Sequence, residues 1–200
     1  VETQVAALTN SQIQALTATN FAALGDTQIA ALSAGQVAAM SATQIAGLAN
    51  DDMAEFTETQ VAAFTSTQLN ALAATNFASL SETQLAALTV TQLGSVNTTK
   101  IAALNETQVA GLTATQVGEL STLQLRAFSN DNLSALDATQ VAALNDTQLR
   151  GLTGTQLASL EAADFAEFSA TQIAALSSTQ VQALDATNIA ALADTQVAAL

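Results

Sequence analysis

The residues able to do acid–base, nucleophilic or metal chemistry are few in this 200-residue chain. It has no His and no Cys, so the commonest general bases, thiolate nucleophiles and transition-metal ligands are missing. Its cations are Lys100, Arg126 and Arg150, against 17 acidic residues. Lys100 stands in Thr98-Thr99-Lys100-Ile101, and a lone Lys can be catalytic. It replaces a Gln that recurs at this position elsewhere, so it reads as a sporadic substitution and catalysis is not expected there. Asn50-Asp51-Asp52 and Asn130-Asp131-Asn132 gather oxygens as a calcium site would. Neither continues into the spaced ligands, glycine and terminal glutamate of an EF-hand loop, and the glycine-rich nonapeptide of calcium β-rolls is absent. Phosphate loops need clustered glycines, and the eight Gly residues are scattered. The expectation is therefore no catalytic, cofactor-binding or metal-binding residue, no cofactor and no enzyme activity.

The elements that carry these residues follow one short phrase. Ser169-Ala170-Thr171-Gln172-Ile173-Ala174-Ala175-Leu176 is followed by Ser177-Ser178-Thr179-Gln180-Val181-Gln182-Ala183-Leu184, and the phrase extends both ways without insertion or deletion. The chain is 25 octads, octad 1 being Val1–Leu8 and octad 25 Ala193–Leu200. Slots are numbered so that Ser169 is slot one and Leu176 slot eight. Slots five and eight are apolar in every octad. Slot six accepts Gln14, Asn70, Arg126, Arg150 and Gln182 and is read as facing water. Slot seven is mostly Ala, Gly or Ser and is read as lying near a neighbouring backbone.

Slot one decides the secondary structure. In 20 of 25 octads it is Ser, Thr, Asn, Asp or Gly, the residues that cap helix N-termini. Slot four is Gln in 18 of 25, and Ser/Thr-x-x-Gln is the capping box, in which Gln reaches back to the N-cap N–H. Slot two often carries an acid, as at Asp26, Glu58, Glu82, Glu106, Asp146 and Asp194, which suits the positive end of a helix dipole. Each octad thus starts a new helix. One continuous helix is excluded because apolar spacings of three and five average too far from 3.6 to keep one seam buried. A strand would point slots five and eight to opposite faces.

The fold expected is all-α: a solenoid of about 25 very short helices, one per octad, with a β-solenoid as the alternative. Its core is two apolar residues per octad, and neighbours must stack because so short a helix is unstable alone. The number of octads per turn is not readable from these spacings. The chain is expected to be a single uninterrupted array over 1–200 and a segment of a longer one. Asn occupies slot four at Asn20, Asn76, Asn132 and Asn188, each 56 residues apart, which is seven octads. Block duplication explains that rhythm, and a periodic lateral contact is the alternative.

A formal net charge of -14 argues against nucleic-acid binding. No apolar run is long enough to span a membrane, so no membrane insertion is expected. The seven Phe residues occupy slots five and eight and read as core, not as base-stacking groups. Thr-x-Thr, as in Thr17-Ala18-Thr19, Thr65-Ser66-Thr67 and Thr113-Ala114-Thr115, is similar to the surface rows of some ice-binding β-solenoids, but capping already accounts for slot one. Sequons at Asn97, Asn105, Asn132 and Asn145 are expected by chance in an Asn- and Thr-rich array.

Leu112-Thr113-Ala114-Thr115-Gln116-Val117 is similar to the opening of TAL-effector repeats, whose base-reading loop and basic surface have no counterpart here. The whole pattern, Leu-Thr-x-Thr-Gln-Ile-Ala-Ala-Leu, resembles octapeptide tandem-repeat arrays of large bacterial exported and cell-surface proteins, over all 25 octads. That resemblance implies a spacer, stalk, adhesin shaft or fibre and carries no site residues. The function expected is structural: a stiff extracellular shaft or self-assembling filament, with the chain itself as partner through end-to-end or lateral contacts. The alternative is a binding module presenting one repetitive face to glycan, ice or a cation.

Overall fold

The computed structural model describes residues 2–200. It contains 25 helices of four to six residues, one in each octad, and no strand among the described residues. The β-solenoid alternative is thereby set aside. No helix among the described residues is long and apolar enough to cross a membrane.

The local geometry repeats. Slot one is extended, as at Thr9 (φ -72°, ψ 157°), and its hydroxyl accepts from the N–H of slot four. The helix follows, and in the longer helices the chain returns to extended geometry at slot eight, as at Leu16 (φ -65°, ψ 135°). The corner after such a helix is therefore two extended residues flanking the octad boundary, as at Leu16 and Thr17. No described residue has a positive φ. Helices often end in a left-handed residue whose N–H satisfies the last carbonyls, which favours Gly. This array leaves the slot-eight carbonyl open instead, and so can turn 24 times on Leu, Met, Phe and Val.

The chain divides into two compact units, Val1–Ala103 and Leu104–Leu200. In the first, Asn10–Ala15 packs on Ala34–Ala39 and Ala42–Ala46 on Ser66–Ala71. In the second, Gly154–Ala158 packs on Ser178–Ala183 and Ala162–Glu167 on Ala186–Ala191. Each pair is three octads apart, while buried hydrogen bonds spanning 28 and 31 residues join octads four apart. Within each unit a superhelical turn thus takes between three and four octads, and the 56-residue Asn recurrence spans about two turns.

The core follows the apolar slots. Slots five and eight are buried throughout the interior, and the exceptions lie in the first three and last four octads. All seven Phe are buried, with Phe56 against Phe64 edge-on at 5.3 Å and Phe165 against Phe168 at 5.8 Å. Slot seven is mostly half-buried, as its small residues imply. At Gly151 the approach is closest: a Cβ there would lie 1.8 Å from Thr122 Cγ2.

Candidate functional site

A third buried layer lies beside the two apolar ones. From octad 5 onward slot four is buried in every octad except those of Asp52 and Asp164. The capping box explains half of this. The N–H of Asn145 donates to Gln148 Oε1 at 2.9 Å, and the Gln148 N–H donates to Asn145 Oδ1 at 3.0 Å. The other half of the amide faces the preceding turn. Gln148 Nε2 donates to the carbonyls of Val117 at 2.9 Å and Leu120 at 2.8 Å. Gln44 does the same to Ile13 at 2.7 Å and Leu16 at 2.9 Å. Oε1 takes the local N–H and Nε2 spends both protons on carbonyls one turn back, so the amide is buried with its donors satisfied. The slot-eight carbonyl, left open at the corner, finds its partner here.

Substitutions at slot four show which half each side chain supplies. Asn76, Asn132 and Asn188 are shorter but still reach the slot-eight carbonyls of Leu48, Leu104 and Leu160, at 2.6, 2.9 and 3.1 Å. Asp52 and Asp164 keep the local cap, accepting from the N–H of Ala49 and Glu161 at 2.7 Å each, and have no donor for the turn below. Burial pushes the Asp164 carboxyl above its usual range, outweighing that N–H. Lys100 is the converse. Its ammonium donates to the Asn70 carbonyl one turn back at 3.1 Å, burial lowers its pKa, and it has no oxygen to accept from Asn97.

The other candidate residues have local roles. Asp51 begins an irregular helix start, Asp131 is exposed, and Asn132 is a buried member of the amide layer. Among the described residues, no group of three or more His, Cys, Asp or Glu is placed to hold a metal ion. Thr17, Thr65 and Thr113 each accept from a slot-four N–H, so capping is what they do. Asn97, Asn105 and Asn145 are N-caps in the same way. Surface grooves, such as one lined by Glu106, Asp131, Ser134, Ser159 and Glu161, gather carboxylates and hydroxyls.

Slot six departs from the expectation that it only faces water. It is exposed in most octads, but Asn70 Nδ2 donates to the Ser95 carbonyl at 2.9 Å and Arg150 Nε to that of Ala175 at 2.9 Å. Both acceptors are slot-seven carbonyls three octads ahead. These two slot-six side chains therefore satisfy helix C-termini of the following turn.

Residues 157–194 match the family model described as the ALTTAQ repeat. This is a tandem-repeat protein. Spelled out, Ala-Leu-Thr-Thr-Ala-Gln runs over slots seven, eight, one, two, three and four, as in Ala175-Leu176-Ser177-Ser178-Thr179-Gln180. Those slots hold the core Leu, the cap and the amide that crosses to the preceding turn. No curated protein matches the chain.

Proposed function

We propose that the chain is a structural protein, a stiff shaft built from tandem octads, and that it has no catalytic role. One observation carries this reading. From octad 5 onward, 18 slot-four amides are buried, and wherever their partners lie within one unit those partners are carbonyls of the preceding turn. Such a network resists shear between turns and recurs in most octads from the fifth onward within each unit, which is what a shaft requires. The absence of His and Cys supports the non-enzymatic reading. The resemblance to exported arrays supports a place outside a bacterial cell or on its surface.

Small-angle scattering tests the proposal. The chain should scatter as a rod, and removing 56 residues should shorten it with an unchanged cross-section. A compact particle would overturn the reading.

A second reading, a binding module, is favoured by slot three. That slot is exposed in all 25 octads and is Thr in 19 of them, beyond any need of the core. Replacing these threonines by Ala in one unit should leave the helices intact. Loss of retention on glycan, ice or a divalent-cation resin would support the module.

A further inference from the structure

Charge is sorted by face in the unit Leu104–Leu200. Helices three octads apart pack on one another there, so every third octad shares a face. Ala114–Glu119, Ala138–Ala142, Ala162–Glu167 and Ala186–Ala191 form one such column. Its octads hold Glu119, Asp137, Glu161, Asp164, Glu167 and Asp185, six of the unit's ten acids, and no cation. The unit's two cations, Arg126 and Arg150, lie at slot six of octads 16 and 19, on Thr122–Ala127 and Asp146–Gly151, which pack together. Asp146 is the one acid in those two octads. Arg126 is exposed and makes no hydrogen bond or ion pair among the described residues, while Arg150 spends its Nε on the Ala175 carbonyl. Leu123, three residues before Arg126 on the same helix face, is 68% exposed. Outside the last two octads no other large apolar side chain among the described residues is so exposed, and slot three is usually Thr.

We propose that the face of Leu123, Arg126 and Arg150 on one copy docks side by side on the carboxylate column of a second copy. Charge complementarity selects that occupant. An apolar centre flanked by arginines is the composition of a contact surface, and the chain itself supplies the matching anions. Glu119, Asp137, Glu161 and Asp185 are exposed on the column, and the exposed Ala138, Ala142 and Ala166 among them leave room for a leucine. The column lacks compensating positive charge: after burial, the charges of Asp164 and Asp137 help to raise the Glu167 carboxyl. No acid pairs with either arginine within a copy. The two faces differ, so the contact is heterologous and each pair keeps one free face of each kind. It uses interior octads alone and holds for an array of any length. The net charge of -14 on each chain opposes the approach of two copies at low salt. At about 0.15 M salt the screening length is about 8 Å, which removes most of that repulsion and leaves the close pairs.

Sedimentation velocity on the whole chain at about 0.15 M salt tests this and should show association that grows with concentration. Leu123→Thr with Arg126→Ala gives both slots the array's commonest residue. That variant should keep its helical spectrum and associate at least about tenfold more weakly. Two charge reversals identify the occupant. Arg126→Glu with Arg150→Glu should be monomeric. So should Glu119→Lys with Glu161→Lys, two exposed positions of which neither makes a side-chain cap hydrogen bond. Mixed in equal amounts, the two reversed chains should associate again, because their altered faces complement each other. A monomeric wild type, a Leu123→Thr, Arg126→Ala variant that associates like wild type, or a mixture that stays monomeric would overturn the proposal. The proposal goes beyond the shaft reading and fails separately from it. A monomer that scatters as a rod would refute the docking alone, and a compact particle that still associates through these residues would refute the shaft alone.

Discussion

The side-chain amide of Gln148 lies 2.8 Å from the carbonyl oxygen of Leu120 and donates to it across one superhelical turn. That bond completes the helix end at Leu120, which no glycine closes, and ties octad 19 to octad 15. Removing the amide should cost more than a cap. Gln148→Ala loses the reciprocal cap, about 1 kcal/mol, and leaves the Leu120 carbonyl unpaired, about 1–3 kcal/mol more, while the Val117 carbonyl keeps the Leu120 N–H. Gln12 makes the same local cap at 2.8 Å but is exposed and donates to no carbonyl among the described residues, so Gln12→Ala should lose about 1 kcal/mol. Urea titration followed by circular dichroism measures both, and equal losses would contradict the bridge.

Lys100 offers the reverse experiment. Lys100→Gln supplies an acceptor for the Asn97 N–H and donors for Leu69 and Leu72, the positions 31 and 28 residues back that other glutamines reach. The variant should be more stable by about 1–2 kcal/mol at neutral pH. The wild-type ammonium has a lowered pKa when folded, so the unfolded chain binds more protons. Wild-type stability should therefore rise with pH in the alkaline range up to 10.5, and the variant should lack that rise.

The Asp164 octad should respond to acid. Burial raises the Asp164 carboxyl, and burial first, then the charges of Asp164 and Asp137, raises that of Glu167, whose Oε2 is buried without a partner. The folded state holds these protons more tightly than the unfolded chain. Their stabilisation is present below the unfolded values of 3.8 and 4.5 and is lost as pH rises through the higher folded values. Asp137 acts oppositely, lowered chiefly by the Thr139 hydroxyl, and its contribution is lost only on stronger acidification. The melting temperature should thus rise on mild acidification from neutrality. The double variant Asp164→Asn, Glu167→Gln should melt higher at pH 7 and show less of this rise.

Gly151 should be sensitive to one methyl group. Gly151→Ala drives a Cβ into Thr122 Cγ2 and should cost about 1–3 kcal/mol. Adding Thr122→Ala, which gives slot two its commonest residue, should recover most of that loss. Thermal denaturation of the two single variants and the double variant reads the coupling.

The helix in each octad, its cap and its two apolar slots were legible because each rests on contacts within eight residues. Thr9, Gln12, Ile13 and Leu16 state that unit completely. The amide layer was harder to see, because Gln148 meets Leu120 only once the chain has gone round a turn. One signal for it is present in the residues. A capping box accepts Glu as readily as Gln, yet slot four holds no Glu in a chain with 17 acids, while 22 of its 25 residues are Gln or Asn. A requirement for amide protons, not only for an oxygen, explains that exclusion. Turn length stayed hidden because the spacing of slots five and eight sets which face is buried, not how far each corner rotates. The recurrence of Asn20, Asn76, Asn132 and Asn188 held a trace of it, since seven octads make about two turns.

The bridge itself is observable through its protons. Hydrogen exchange of glutamine side-chain amides, read by NMR on 15N-labelled protein, compares Gln148 with Gln12 in one sample. The Gln148 Nε2 protons should exchange orders of magnitude more slowly than those of Gln12, because each is buried and bonded to a carbonyl of the preceding turn. Equal, unprotected exchange at the two residues would contradict the claim that slot-four amides join successive turns.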